Sequence, residues 1–448
     1  MNEHTHNFAK FPYPAPKNHI VSDPTPRDQA VYVPSVTPHY AIFVHERKFN
    51  RRLPLGISAS DFNFLDPNNK LFRISHVMTS AGQALRQKRD CIITTRDRNN
   101  TIVIGDSGGY QIASNPKFIK DNSDRLRILR WLETNANVAM TLDVPTGPLL
   151  KPGYHYSSFD ECLDATEYNL KLFTSSRQNS DVCFLNVLQG NSQAESDAWY
   201  DRVKQYPFEG WAFAGLLRHN FYQLCRRIII MKQEGQIQGK KWIHVLGTNE
   251  LETAILLTAL QRSINTHIND DLRISYDTSS PFRIISWGDV YGLPRFDSKQ
   301  MTVPTHKILF GSNYFETPVR WPWPSALGDH LMMGDVCRRD SSHRLRSLDI
   351  QSNIYLVYHN LSALCHGIAT ANRVFDAANL ANSYPIARQV GNAVEAIDDI
   401  IRTADLSVLD RYRPVFNKLR HSKAFSDDEQ RDIDAIDRDM RYFGIRPI

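Results

Sequence analysis

Between about residues 90 and 290, short apolar runs alternate along the chain with longer stretches in which apolar residues recur at helical spacing. Each apolar run ends at a polar residue or a glycine, as a buried strand does where it meets a loop. The runs are Thr101–Gly105, Val138–Leu142, Cys183–Leu188, Trp211–Ala214, Trp242–Leu246 and Arg273–Tyr276. The stretches at helical spacing are Phe159–Phe173, Gln193–Gln205, Phe221–Gln233 and Glu250–Ser263.

Strands that alternate with helices predict a parallel sheet built from βαβ units. Six such units are visible, and the chain continues on both sides of them, so we expect a closed (β/α)8 TIM barrel rather than an open sheet. No glycine-rich phosphate-binding motif follows any of these strands. The sequence therefore does not predict a nucleotide-phosphate loop.

Two further regions flank the predicted barrel. Residues 1–40 carry seven prolines between Pro12 and Pro38, which predicts an extended segment over the surface rather than a layer of the core. From about residue 355 onward the pattern is helical to the end of the chain, and residues 427–441 are highly charged. We therefore predict an extended segment over residues 1–40, a barrel domain over 41–375 and a helical appendage over 376–448.

Composition narrows the class of protein. Hydrophobic residues make up 42% of the 448 residues, which is enough for a sizeable core and too much for a disordered chain. The sequence has no apolar run of membrane-spanning length and no secretory signal at its start, so we expect no membrane association. Its six cysteines form no Cys-x-x-Cys pair. This cysteine usage predicts a reducing compartment, the cytoplasm.

Positive charge is concentrated in clusters, although the formal net charge is only +5. Such clusters suit a nucleic-acid phosphate backbone, but any one of them can equally be a solvated face. Trp321 and Trp323 precede the last cluster and are candidates for stacking on a base, with a buried Trp-Pro turn as the alternative. The clusters comprise Arg47, Lys48, Arg51 and Arg52, then Arg86, Lys88 and Arg89, and finally Arg338, Arg339, Arg344 and Arg346.

Polar residues and a glycine at the ends of the predicted strands are the candidates for chemistry. In a parallel barrel the carboxyl ends of the strands converge on one mouth. Three carboxylates, one amide and an exposed backbone around one pocket suit recognition of a polar planar heterocycle together with carboxylate chemistry. Each aspartate alone can also serve as a helix N-cap. The strand-end residues are Asp106, Asp143, Gln189, Gly215 and Asp277.

The segments around these positions form an ordered set of motifs. The first, Gly105–Gln111, reads Gly-Asp-Ser-Gly-Gly-Tyr-Gln. The later ones are Met140–Asp143, Val187–Gly190, Phe213–Leu216, Val245–Thr248, Ile274–Asp277 and Tyr358–Leu361. In this order they resemble the tRNA-guanine transglycosylase superfamily over about residues 85–375. The ordered set is far more specific than the first motif alone.

The resemblance implies an enzyme that exchanges a guanine base in a nucleic acid for a free 7-deazaguanine. Asp277 would be the nucleophile that attacks C1′ of the target nucleoside, and Asp106 the general acid/base on the departing and arriving bases. Asp143 would accept from the N1–H and amino group of the base, and Gln189 would donate to its O6. The resemblance places Tyr110 and Leu246 on the two faces of the base. The other implied base-binding positions are Ser107, Gly190, Gly215 and Leu216.

Departures from the family's pattern fall in its zinc lobe and its tRNA-reading loop. The four zinc-ligand positions, in the lobe at about residues 320–360, are here Met332, Gly334, Cys337 and His359. Because only two of these can be zinc ligands, we expect no metal, and we expect no other cofactor. Residues 278–283 replace the tRNA-reading loop, and Arg283 in this segment remains a candidate for nucleic-acid contact.

These losses, with all three aspartates retained, make the chain most similar to the DNA-acting 7-deazaguanine transglycosylase branch of the superfamily. The resemblance implies DNA and a free base such as preQ0 as partners, with the target guanine flipped out of the DNA. Family members are commonly dimers, which leaves a homodimer open. Three alternatives remain: a tRNA-guanine transglycosylase with a decayed zinc lobe, a non-catalytic nucleic-acid-binding paralogue, and a nucleosidase or glycosidase with water as acceptor.

Overall fold

The computed structural model describes residues 25–85, 89–109, 119, 121–150, 153–297, 300–308, 318–336, 348–381 and 386–419. For residues 150 and 378–381 only the backbone is described.

Eight strands form one parallel sheet in this part of the chain. They are β1 (Val31–Pro34), β2 (His76–Ser80), β3 (Ile102–Asp106), β4 (Val138–Met140), β5 (Cys183–Leu188), β6 (Gly210–Phe213), β7 (Trp242–Val245) and β8 (Arg273–Thr278). From β2 to β8 each strand pairs with the next, and β1 pairs with β8. A parallel bridge between Ser35 and Met78 joins the two remaining edges. The sheet is therefore a nearly closed barrel, and the predicted (β/α)8 fold class is confirmed.

Helices connect these strands and cover the outside of the barrel. Side-chain caps set where several of them begin, because an oxygen accepts an N–H that the first helical turn leaves unpaired. Ser158 accepts from the Glu161 N–H, and Ser192 accepts from the Glu195 N–H. The helices are α1 (Pro38–Glu46), α2 (Ala81–Ala84), α3 (Asn122–Asn135), α4 (Phe159–Ser176), α5 (Gln193–Val203), α6 (Gly215–His219), α7 (Phe221–Gln233), α8 (Leu251–His267), α9 (Ser280–Arg283), α10 (Met333–Val336), α11 (Ile350–Ala381), α12 (Arg388–Thr403) and α13 (Leu406–Phe416).

Two apolar layers make up the core. The larger lies between the sheet and the surrounding helices. The smaller fills the barrel interior and consists of Val31, Val33, Met78, Ile104, Val138, Met140, Leu185, Val187, Ala212, Ala214 and Trp242. Side chains alternate between the two faces of a strand, so Asp106, two residues after Ile104, lies on the inward face of β3. The same alternation puts polar side chains near the carboxyl ends of the strands around one mouth.

The prediction that residues 1–40 lie over the surface is wrong for residues 31–34. These form β1, whose four residues are all buried between β8 and the edge of β2. Their single proline, Pro34, is the last residue of the strand, where a missing N–H does not break the ladder. The remaining part of the predicted segment, residues 1–24, lies outside the described residues.

Three long helices after residue 349 confirm the helical pattern predicted there, as far as the chain is described. Helix α12 packs on α8 and α13, and α11 also contacts α8. Helix α11 runs across residue 375, and the division into domains at that position stays a prediction. Residues 427–441 lie outside the described part. None of the described helices is both long enough and apolar enough to cross a membrane.

Candidate active site

Three carboxyl groups lie at the mouth of the barrel. Asp106 is the last residue of β3, Asp277 lies on β8, and Asp143 follows β4 by three residues. Asp143 and Asp277 are only 7% and 5% exposed, whereas Asp106 is partly open to the mouth. The charge of Asp106 acts on Asp143, and that of Asp277 acts on Asp106. The fold therefore brings together three acidic groups that are up to 171 positions apart in the chain (277 − 106).

The protonated form of Asp106 is favoured by its surroundings. Burial raises the pKa of the Asp106 carboxyl, the Gly108 N–H and the neighbouring Ser80 hydroxyl lower it, and the charge of Asp277 raises it again. His244 has a smaller, lowering effect on the same pKa. A carboxyl group with a raised pKa can carry a proton near neutral pH and give it to a leaving group.

Asp143 forms a polar pair with Gln189, the residue that follows β5. The Gln189 side-chain amide donates to Asp143 Oδ2 over 2.7 Å. Burial raises the pKa of Asp143 to about 7 in spite of this bond, and the charge of Asp106 contributes to the rise. Gln189 is itself buried. The pair can thus present an acceptor and a donor, side by side, to the edge of a planar heterocycle.

Close backbone packing surrounds this pair. A Cβ on Gly109 would lie 2.2 Å from the Asp143 backbone oxygen, so the loop after β3 can reach Asp143 only with glycine at that position. A second approach joins the ends of β5 and β6, where the Leu216 N–H donates to the Gly190 oxygen over 2.8 Å. Gly215 has a φ of +52°, and a Cβ there would lie 2.3 Å from that oxygen. The predicted base-binding residues Gly190, Gly215 and Leu216 are therefore neighbours.

Asp277 is held through one of its two oxygens. Its Oδ1 accepts the Gly247 N–H over 2.8 Å and lies 3.3 Å from His244 Nε2. Its backbone oxygen accepts the Thr248 N–H over 2.7 Å. These contacts tie the end of β8 to the loop after β7, which also carries the partly buried Leu246. The carboxylate is fixed in place rather than free to rotate.

His244 is the functional candidate that the sequence analysis missed. It is completely buried on the inward face of β7, in register with Ser275 on β8. The signal that could have found it is the alternation along the strands, since Trp242 and His244 share one face of β7, as Ser275 and Asp277 share one face of β8. As the penultimate residue of β7, His244 points into the barrel near the mouth.

Of two further predicted base-binding positions, the structure describes Ser107 but not Tyr110. The Ser107 hydroxyl is buried, and no group among the described residues hydrogen-bonds to it. Such a hydroxyl is available to a bound ligand. Tyr110 lies outside the described residues, so its predicted stacking role stays a prediction.

His359, a predicted remnant of the zinc site, makes protein contacts through both ring nitrogens. Its Nε2 donates to the Tyr291 oxygen over 2.9 Å, and its Nδ1 accepts from the Ser325 hydroxyl over 2.7 Å. Burial lowers its pKa to about 4, so the ring is neutral. No cluster of three or more His, Cys, Asp or Glu side chains that could hold a metal is found in the described ranges. Cys337 lies outside them, and the expected absence of metal stays a prediction.

The predicted basic contacts fall into two groups. The described group comprises Arg51, Arg52, Arg89 and the partly buried Arg283. The Arg51 guanidinium pairs with Asp349 over 2.8 Å and contacts Ser352. Arg89 lies 3.7 Å from Glu46, and Arg283 donates to the Ser279 hydroxyl over 3.3 Å. Lys88, Arg338, Arg339, Arg344 and Arg346 lie outside the described residues.

Exposure differs among three tryptophans that follow β8 in the chain. Trp321 is 6% exposed and packs edge-on against His359, which favours the buried Trp-Pro turn over a stacking role. Trp323 packs against His306 with near-parallel rings. Trp287, which follows β8 and α9, is 41% exposed, with the Arg283 guanidinium 5.8 Å from the centre of its ring. It is therefore better placed than Trp321 to contact a ligand at the surface.

No protein-family model and no curated protein matches this chain.

Proposed function

We propose that this chain is a DNA-guanine transglycosylase, a pentosyltransferase that exchanges guanine in DNA for a free 7-deazaguanine base such as preQ0. The observation that carries the proposal is the set of three electrostatically coupled carboxyl groups at one barrel mouth, with the Gln189 amide bonded to one of them. The motifs that resemble the transglycosylase superfamily supply the substrate class.

The first step forms a covalent intermediate. The Asp277 carboxylate attacks C1′, the C1′–N9 bond breaks, and its electron pair leaves with the guanine. Asp106 gives its proton to the departing base, and its raised pKa supports that role. The product of this step is a deoxyribosyl ester of Asp277 together with free guanine.

The second step reverses the first with a different base. The Asp106 carboxylate removes the N9 proton of the arriving 7-deazaguanine, whose N9 then attacks C1′. The ester bond breaks, and its electron pair returns to the Asp277 carboxylate. Asp106 ends with the proton it began with, so the enzyme is regenerated without a cofactor.

The Asp143–Gln189 pair recognises the base. Asp143 accepts from the N1–H and the exocyclic amine, while Gln189 exchanges its bond to Asp143 for one to O6. This assignment requires ionised Asp143 in the complex. Because burial raises its pKa to about 7, base binding releases a proton below that pH.

DNA is favoured over tRNA by the altered zinc lobe and the altered loop after β8. His359 is bonded to Ser325 and Tyr291, which fits a lobe that holds together without metal. Flipping the target base costs a few kcal/mol of unstacking and unpairing. Beside the mouth, the Arg283–Trp287 pair offers a cation and an exposed aromatic face that can contact the DNA next to the flipped base.

The test is an exchange assay with duplex DNA, single-stranded DNA and tRNA, each incubated with preQ0 and analysed as nucleosides by mass spectrometry. We expect the 7-deazaguanine nucleoside from DNA, and a covalent protein–DNA adduct on denaturing gels. Asp277→Ala should abolish both, and Asp106→Ala should slow exchange about 10²- to 10⁴-fold while DNA binding survives. The exposed Asp270, at the other end of β8, provides the control Asp270→Asn.

Each alternative predicts a different result in the same assay. Exchange into tRNA alone would identify a tRNA-guanine transglycosylase, and abasic sites with free guanine would identify a hydrolase. Binding of nucleic acid without exchange or adduct would identify a non-catalytic paralogue. Full exchange by Asp277→Ala would overturn the assignment of the nucleophile.

A further inference from the structure

A chain of polar side chains crosses the apolar interior of the barrel and ends on Asp277. The Trp242 indole N–H donates to the Ser275 hydroxyl over 2.6 Å, and that hydroxyl lies 2.7 Å from His244 Nδ1. His244 Nε2 in turn lies 3.3 Å from Asp277 Oδ1. Ser275 and His244 are both 0% exposed. Around them the barrel is lined by aliphatic side chains.

The chemistry of the groups gives this chain a direction. An indole nitrogen can only donate, so the Ser275 oxygen must accept from Trp242. The Ser275 hydroxyl proton is then available for His244 Nδ1, which makes Nδ1 an acceptor. A neutral imidazole that accepts at Nδ1 carries its proton on Nε2. The chain therefore presents an N–H of His244 to the Asp277 carboxylate.

A completely buried histidine is often only a satisfied part of the core, because burying polar groups is costly unless they are paired. Two observations point further. The last bond of the chain ends on Asp277, the proposed nucleophile, and it meets the same oxygen, Oδ1, that accepts the Gly247 N–H. Both donors thus hold one oxygen, and Oδ2 is the oxygen left to attack C1′.

We propose that His244 is a positioning residue for the nucleophile: its Nε2–H holds Asp277 Oδ1 so that Oδ2 faces C1′, and it stabilises the carboxylate that departs in the second step. This inference rests on the proposed function. In the covalent intermediate Oδ1 is the ester carbonyl oxygen, a weaker acceptor than a carboxylate. The bond from His244 therefore strengthens as the ester breaks.

The choice of substitution decides whether a donor remains beside Asp277. A glutamine at position 244 can donate a hydrogen bond from about the same place as the imidazole, whereas a leucine cannot.

The kinetic test compares two substitutions of this residue in the full chain. His244→Leu removes the donor, and we expect single-turnover adduct formation to slow about 10- to 100-fold, with the KM for preQ0 unchanged. His244→Gln should restore most of the rate, because its side-chain amide keeps a donor beside Asp277. The matched control is His267→Gln, which removes a histidine 3.2 Å from Asp398 on the outside of the barrel. It should leave the rate unchanged.

Outcomes that overturn the inference are distinct from those that overturn the proposed function. A His244→Leu variant with the wild-type rate, or a His244→Gln variant as slow as His244→Leu, would leave His244 a purely structural residue. A wild-type protein without adduct or exchange would instead refute the proposed function.

A second measurement needs no substrate. Long-range ¹H–¹⁵N spectra of [¹⁵N]histidine-labelled protein at about pH 8 should show His244 with its proton on Nε2, identified by the loss of its signals in His244→Gln. Ser275→Ala should shift protons towards Nδ1, because the hydroxyl donor is gone. An unprotonated Nε2 in the wild-type protein would overturn the inference whatever the exchange assay shows.

Discussion

Burial of acidic side chains has the largest effect at the scale of single residues. Asp143 and Asp277 are nearly inaccessible, yet each accepts a hydrogen bond at one carboxylate oxygen, from Gln189 and from Gly247. A buried carboxylate costs free energy unless it is paired. At Asp143 burial also raises the pKa. The buried carboxyl groups of such a site are reactive, but they lower the folding stability of the protein.

That cost is measurable at Asp143. Burial raises its pKa to about 7 from an ordinary value of 3.8, so between these pH values the folded protein binds more protons at this group than the unfolded chain. Stability from this carboxyl therefore falls as pH rises from about 4 to about 7 and is level above that range. Asp143→Asn should raise the free energy of unfolding by about 1–4 kcal/mol near pH 8 and by much less near pH 5.

Thermal denaturation at the two pH values checks this prediction. The exposed Asp270→Asn should leave the melting temperature unchanged at both. An equal gain for Asp143→Asn at pH 5 and pH 8 would mean that its carboxyl titrates normally in the folded protein.

At the scale of elements, the loops after the strands determine the shape of the mouth. The loop after β3 meets the loop after β4 at Gly109, where any Cβ would collide with the Asp143 backbone. The loop after β7 meets β8 through the bonds from Gly247 and Thr248 to Asp277. Adjacent loops thus hold one another, and a shift in one moves the chemical groups of the next.

Gly109→Ala is the sharpest test of this coupling. The methyl group forces the two loops apart, so we expect a loss of about 1–3 kcal/mol in stability and a fall in exchange rate of about 10²-fold. Gly147 in the loop after β4 has no neighbour within 4 Å of its Cβ position, and Gly147→Ala should change neither quantity. Melting temperature and single-turnover exchange are the two measurements. Wild-type exchange by Gly109→Ala would show that the loops move independently.

On the scale of the whole molecule, segments far apart in sequence complete the barrel and its helical layer. Strand β1 closes the sheet against β8, some 240 residues later in the chain. Helix α12 packs against α8 on the outside of the barrel. Its side chains Ile397 and Ile400 are fully buried. Stability therefore depends on parts of the chain that carry none of the proposed chemistry.

Ile400→Ala should accordingly destabilise the protein by about 2–5 kcal/mol, because it leaves a cavity in the core. Exchange per folded molecule should be unchanged below the melting transition. Asn392→Ala, at an exposed position on the same helix, is the control and should have little effect. Denaturant unfolding gives the stability, and the exchange assay gives the activity. A large loss of activity in folded Ile400→Ala would show that α12 supports the mouth directly.

Sequence pattern alone was sufficient for six of the eight strands and for four of the helices between them, α4, α5, α7 and α8. These strands are short, largely apolar runs whose residues are mostly buried. The predicted helices have a 3.6-residue period that the strands do not share. It also placed Asp106, Asp143, Gln189 and Asp277 at strand ends, since the carboxyl ends of parallel strands meet at one mouth. Strand β1 was missed because prolines surround it. Strand β2 was missed because it is a single short run, and no stretch with helical spacing comes directly before it.

Contacts across the barrel were decided only by the tertiary structure. Periodicity is a property of residues a few positions apart, whereas the bond between Ser275 and His244 depends on the register of β7 against β8. The pairing of Arg51 with Asp349, 298 positions away, is likewise absent from any local pattern. Burial acts in the same way: His244 and Trp321 are buried by surrounding elements rather than by their own neighbours in the chain. The sequence by itself therefore determined which groups reach the mouth, and packing determined which of them hold one another there.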